Sequence, residues 1–174
     1  QGVSSAASDV YKRQILQCAK ARPHLHFVIH GNGPERCNLI KYSIINNIQN
    51  ISFPGHSSLD RILYDLHCSK LFLSTSESEG TPTSLLEAMA AGLPIVTTPS
   101  NDYTWLIDHG VNGFISKSWN LQEVLGYLDL VLSNLPLSTA MSNYNRERAK
   151  QHTWSRNAQL VTSLMLAQVR IYDS

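Results

Sequence analysis

The chain has 174 residues, 43% of them apolar, with 14 basic and 13 acidic side chains and a formal net charge of +1. That size suits one globular domain with a sizeable core, and so neutral a balance argues against nucleic acid or an anionic membrane surface as the principal partner. Cys18, Cys37 and Cys68 are scattered and form no C-x-x-C pair, which speaks against a disulfide framework or a zinc knuckle and fits a reducing compartment.

Residues 1–14 stand apart from the rest. Ser4–Gln14, SSAASDVYKRQ, reads residue for residue like one translated frame of a transposase sequencing adapter. Residues 1–14 are therefore expected to be a non-native scar, disordered or irregular, with natural sequence over 15–174. The gene is then truncated upstream, and a leader peptide there stays an open question. Ile15–Ala21 close a helix that Pro23 stops. Leu25–Ile29 form an apolar strand ending on the breaker GNGP, Gly31–Pro34. A helix over Glu35–Asn46, a strand over Ile51–Phe53 closed by Pro54-Gly55, and a helix over Leu59–Leu66 follow. Leu71–Ser74 read as a buried strand, Pro82–Ala91 as a helix and Pro94–Thr98 as the next strand. Tyr103–Asp108 suggest a short helix, and Phe114-Ile115 a strand. Leu121–Leu132 and Ser138–Gln151 are two surface helices, and Trp154–Val169 a last helix behind a Thr153 N-cap. No apolar run approaches the roughly 18 residues of a membrane span. Strands alternating with helices at this spacing predict a Rossmann-like three-layer α/β domain around a mostly parallel sheet.

In such sheets ligands bind where the carboxyl ends of strands lead into helix starts. SESEGTPTSLLEAMAAGLP, Ser76–Pro94, has that layout. Thr81 suits an N-cap and Pro82 the first helical position, leaving the N–H groups of Thr83 and Ser84 free for an anion such as a phosphate. Gly80 lets the backbone approach a ligand closely. Glu79 lies at the mouth of this pocket. Glu87 stands further into the helix beside Leu85, Leu86, Ala88 and Met89, where a buried carboxylate needs a partner. Vicinal hydroxyls of a ribose or hexose suit either glutamate. Spacing alone favours a plainer reading, with Glu79 a solvated loop residue and Glu87 an exposed helix residue.

Ordered blocks reverse that preference. SESEGTPTSLLEAMAAGLPIVTT resembles the E-x7-E segment of the family 4 retaining glycosyltransferases, which have the two-domain GT-B fold. FVIHGNGPE, ISFPGH, SKLFLSTS and HGVNGFI are similar to successive blocks of that family in order and spacing, and HTWSRNAQL to its closing helix. The resemblance runs from Ile15 onward and implies one half of a GT-B enzyme, the C-terminal domain that binds a nucleotide-sugar donor. It implies that Glu79 contacts and steadies the donor sugar, and that Glu87 holds the ribose hydroxyls. Backbone amides of Gly80, Thr81, Pro82, Thr83 and Ser84 are the segment implied to meet sugar and diphosphate, Pro82 having no N–H of its own. The turn carrying Gly55 and His56 is implied to lie near the base, with Gly31 and Gly33 close by. Transfer then proceeds with retention and without a protein nucleophile, and neither a cofactor nor a metal is expected. The saccharide or lipid-linked acceptor is assigned to an N-terminal domain missing here, so the fragment alone is expected to be inactive. Polysaccharide or glycolipid assembly at the cytoplasmic face of the membrane is the setting the resemblance suggests.

Two features depart from the family pattern. The upstream Arg and Lys that clamp the diphosphate would precede Ile15. After PIVTT the G-G-x-x-E motif is replaced by Ser100–Trp105, with Trp105 where the glutamate is expected. The seven histidines show no metal-ligand spacing, since His24 and His26, the only near pair, fall two apart within or beside a short strand. GNGP lacks the third glycine of a dinucleotide fingerprint. Two other classes are weighed: a nucleotide-binding or interaction module without transfer activity, and a glycoside hydrolase using Glu79 and Glu87, whose origin in one loop-helix segment disfavours it.

Overall fold

The computed structural model describes residues 6–75, 83–99, 105–117 and 120–152. In chain order they form α1 (Ala6–Ala21), β1 (Phe27–His30), α2 (Arg36–Ile45), β2 (Ile51–Gly55), α3 (Leu59–Cys68), β3 (Phe72–Ser74), α4 (Thr83–Ala90), β4 (Ile95–Thr97), β5 (Gly113–Ile115), α5 (Leu121–Ser133) and α6 (Leu135–Lys150). Every ladder is parallel, as the alternation of elements predicts. β1 pairs with β2, and β3, β4 and β5 form a second sheet in that order. The two sheets share one core, because Phe27 of β1 packs with Leu71 and Leu73 against the cluster beneath α5.

The period-two alternation of a strand decides which side chain meets which helix. Phe72, Ile95 and Ile115 share one face and pack with Leu85, Ala88 and Met89 of α4 and with Leu106 and Ile107. Leu73, Val96 and Phe114 point the other way, onto Val124, Leu125, Leu128 and Val131 of α5 and Met141 of α6. Both faces are therefore covered, which makes the three layers. Burying each such aliphatic side chain contributes roughly 1.5–3 kcal/mol before chain entropy is counted. A smaller cluster of Leu16, Ala19, Leu39 and Ile48 holds α1 and α2 beside β1 and β2.

Several helix limits are set by side-chain caps. Ser58 accepts from Arg61 N at 3.4 Å at the start of α3, and Asn120 from Gln122 N at 2.8 Å at the start of α5. α6 begins at Leu135 rather than Ser138, because Asn134 Oδ1 accepts from Leu137 N at 3.1 Å and Pro136 fits the first turn. Residues 6–14 are helical rather than irregular: Leu16, Cys18 and Ala19 are packed, and the helix runs back from them through a stretch with no Gly or Pro. The short helix expected over Tyr103–Asp108 is not formed in its described part, where Trp105-Leu106 make a turn. Asn112 takes the backbone groups a helix would use, donating to Leu106 O at 3.0 Å and accepting from Asp108 N at 2.7 Å. The helix expected over Trp154–Val169 lies outside the described residues.

Candidate functional site

The carboxyl ends of β1 and β2 are clasped together. Gly31 N donates to Gly55 O at 2.8 Å, and both glycines have positive φ, +115° and +78°. Such angles strain any residue with a Cβ, so the clasp accounts for glycine at both positions. Gly33 has no such angle, and a Cβ there would meet nothing within 4 Å, so the structure does not require glycine at that position. The register slips between Val28, opposite Ser52, and His30, opposite Gly55, so β2 carries an extra residue. Pro54 is tolerated there because β2 is an edge strand of its sheet. Arg36, at the start of α2, donates from Nη2 to Phe53 O at 2.8 Å and lies against Gly55. Beside the clasp lies a cavity of about 200 Å³, lined by His30, Gly31, Gly33, Glu35 and Arg36 and by the apolar Ile15, Ile29, Leu39 and Phe53. His56 follows the clasp and is exposed.

His30 ties this edge to α3. Its Nδ1 is 2.9 Å from Ser57 Oγ, and its Nε2 is 3.0 Å from Asp65 Oδ2, though out of line for a hydrogen bond. Asp65 also accepts from Arg61 Nε at 2.8 Å. The Arg61 hydrogen bond, aided by the charges of Arg61 and His30, holds the Asp65 carboxyl below its ordinary range against the effect of burial.

The edge of the second sheet is a row of hydroxyls. Ser74, Thr75, Thr97, Thr98 and Ser116, at the ends of β3, β4 and β5, are all buried. Thr98 N donates to Ser74 O at 3.1 Å and Ser116 N to Thr97 O at 2.9 Å, extending the ladders past the strands. Thr98 Oγ1 and Ser116 Oγ have no hydrogen-bond partner among the described residues. α4 starts beyond this edge, with Thr83 and Ser84 exposed in its first turn, where N–H groups have no intrahelical acceptor.

Glu87 is exposed, not buried among leucines. Leu85, Ala88 and Met89, at i, i+3 and i+4, take the core-facing stripe, and Glu87 falls outside it. Its carboxylate has no partner among the described residues. Glu79, Gly80, Thr81 and Pro82 lie outside the described residues. The structure thus brings Gly31 and Gly33 to one cavity, with Gly55 in the adjoining clasp and His56 directly after it. Thr83, Ser84 and Glu87 sit on a separate helix that starts from the same end of the parallel strands. Sequence reasoning passes over His30, Arg36, Asp65 and the hydroxyl row. Only the last has a visible signal, in the polar residues that directly follow the apolar strands of LFLSTS and PIVTT. Among the described residues no group of three His, Cys, Asp or Glu side chains is placed to hold a metal ion. Burial pushes the Cys18 thiol up to about 12, which leaves it a neutral core residue.

The family model for glycosyl transferases of group 1 matches residues 8–148. An uncharacterized glycosyltransferase of Haemophilus influenzae is 33% identical over 135 residues, 76% of this chain and 37% of that protein. Two solved structures share the fold. One is a mutant of S. aureus TarM in complex with Fondaparinux, alpha-GlcNAc-glycerol and UDP, with a TM-score of 0.78 at 22% identity over 89% of this chain and 32% of that one. The other is Alr3699/HepE of Anabaena in complex with UDP and glucose, with a TM-score of 0.77 at 20% identity over 88% of this chain and 44% of that one. The chain therefore spans less than half the length of each of these proteins, and its α/β arrangement is the Rossmann-like half of a GT-B glycosyltransferase.

Proposed function

This chain belongs to the group 1 glycosyl transferases, and from that premise we propose that it holds a nucleotide-sugar donor for transfer of the glycosyl group to a separate acceptor. The observation that carries the proposal is the Gly31–Gly55 clasp and the cavity beside it, at the same end of the parallel strands as the start of α4. The base enters the cavity between the clasp and Phe53. The diphosphate meets the free N–H groups of Thr83 and Ser84, where the helix dipole also favours negative charge. Glu87, exposed and with no partner among the described residues, accepts from the two ribose hydroxyls without first breaking another contact. Glu79 steadies the donor sugar, with Gly80, Thr81 and Pro82 as the adjoining loop. The TarM and HepE structures, both holding UDP, support a uridine nucleotide among the donors to be tried.

In the reaction the bond from the anomeric carbon to the diphosphate breaks on the face where the acceptor hydroxyl adds. The departing diphosphate takes the acceptor's proton, so configuration is retained, and neither a protein nucleophile nor a metal ion is required. A further domain of the enzyme holds the acceptor.

Thermal shift with nucleoside diphosphates and nucleotide sugars tests this directly. A ligand at 100 times its Kd stabilises the folded state by roughly 2.7 kcal/mol, enough to read as a clear rise in Tm. Glu87→Ala is expected to abolish the nucleotide's effect, and Glu79→Ala to remove only the increment that the sugar adds. Unchanged shifts in both variants would rule out these roles.

A further inference from the structure

The cavity beside the clasp has an uneven chemistry. Among the polar groups of its lining residues, two buried donor nitrogens lack an aligned acceptor, Arg36 Nε and His30 Nε2. His30 has Asp65 close by, whereas Arg36 has no carboxylate within ion-pair reach among the described residues. Its one side-chain bond among the described residues, from Nη2 to Phe53 O at 2.8 Å, holds the guanidinium at the cavity, where Asn32 Oδ1 approaches the same side of Gly55. A half-buried guanidinium left without an anion or a full set of acceptors is costly unless something bound supplies them. Glu35, the acidic residue of the same lining, accepts from Asn38 Nδ2 at 3.0 Å on its own helix.

We propose that Arg36 reads the base of the bound nucleotide and selects a carbonyl edge, as in uracil or guanine, over an amino edge, as in adenine or cytosine. The inference rests on the donor-site reading above and adds to it the residue that sets base specificity. An arginine side chain offers donors only, in a fixed planar fork. O4 of uracil or O6 of guanine accepts from it, whereas the amino group at the matching position, N4 of cytosine or N6 of adenine, brings a second donor against it. The apolar lining of Ile29, Leu39 and Phe53 suits the face of a base and excludes water from the contact.

Calorimetric titration of the full chain with UDP, GDP, ADP and CDP at one ionic strength tests this. The native chain is expected to bind UDP and GDP at least about tenfold more tightly than ADP and CDP. Arg36→Ala should weaken UDP and GDP by a similar factor and leave ADP and CDP near their native values, so that the preference disappears. Arg36→Lys keeps the charge and loses the fork, so it should also lose the preference, and it serves if the alanine variant folds poorly. Equal weakening of all four in either variant would make Arg36 a phosphate or structural residue and overturn the proposal. So would a native preference for ADP or CDP, or variants that bind as the native chain does, while the donor site itself would stand. Failure of the native chain to bind any of the four would instead remove the donor site together with this inference.

Discussion

The two sheets use the same βα units to different ends. In the β3–β4–β5 half each strand is short, yet β4 is wholly buried and helices cover both faces. In the β1–β2 half the strands are only partly buried, α3 buries no residue completely, and a cavity opens beside Phe53. Polar groups follow the same division. Asn112 and Asn145, both fully buried, satisfy each other: Asn112 Nδ2 donates to Asn145 Oδ1 at 2.9 Å, and Asn145 Nδ2 donates to Asn112 O and Leu93 O, each at 2.8 Å. Arg36 and His30 keep buried donors unanswered. One half packs closely and leaves unanswered the hydroxyls of Thr98 and Ser116 at its strand ends; the other leaves volume and donor nitrogens available to a ligand. Stability and binding should therefore separate on mutation.

The largest effect is expected in the closed half. Leu128→Ala removes a side chain that is 1% exposed at the centre of the α5 cluster, and should cost about 3 kcal/mol in chemical denaturation while leaving nucleotide affinity unchanged in the folded fraction. A matching loss of affinity would show that the halves are coupled after all. Gly31→Ala should behave the other way. No neighbour obstructs the added methyl, so the cost is the strained φ alone, about 2 kcal/mol, but the clasp shifts and nucleotide binding should fall at least about tenfold. Native affinity in Gly31→Ala would detach the clasp from the site.

The smallest effect is expected from acid. Asp65, paired with Arg61, and Asp129, hydrogen-bonded by Arg22, both have carboxyls held below their ordinary range. Their unfolded-state value is about 3.9. A depressed folded pKa means that the stability they add is fully present above about pH 5 and is lost as pH falls through about 4 and below. Tm should therefore drop on that limb, and Asp65→Asn should reduce the drop by removing one of the two linked groups. An unchanged acid limb would show that the Arg61–Asp65–His30 contacts do not hold α3 to the site edge.

Much of this division is legible in the sequence. Apolar runs such as LFLS and PIVTT locate the strands that helices cover, and GNGP and FPGH locate the glycine turns that form the clasp. Glu87 reads as buried when its apolar neighbours are taken in sequence, whereas helical phase sends Leu85, Ala88 and Met89 inward and Glu87 outward. Arg36 is invisible as a binding residue, since its reach to Phe53 O joins positions 17 apart on different elements. The Asn112–Asn145 pair joins positions 33 apart through the packing of α6, a relation that no local pattern carries. For the same reason, a turn at Trp105 replaces the helix expected there.

The central claim, that a nucleotide binds from the cavity of the open half to the start of α4, is tested most directly by mapping backbone amide shifts by NMR as UDP is added. The account requires saturable shifts clustered at residues 30–36, 55–58 and 83–87, with those around Asn112 and Asn145 left unmoved. Shifts concentrated around Asn112 and Asn145, or none at millimolar UDP, would contradict it.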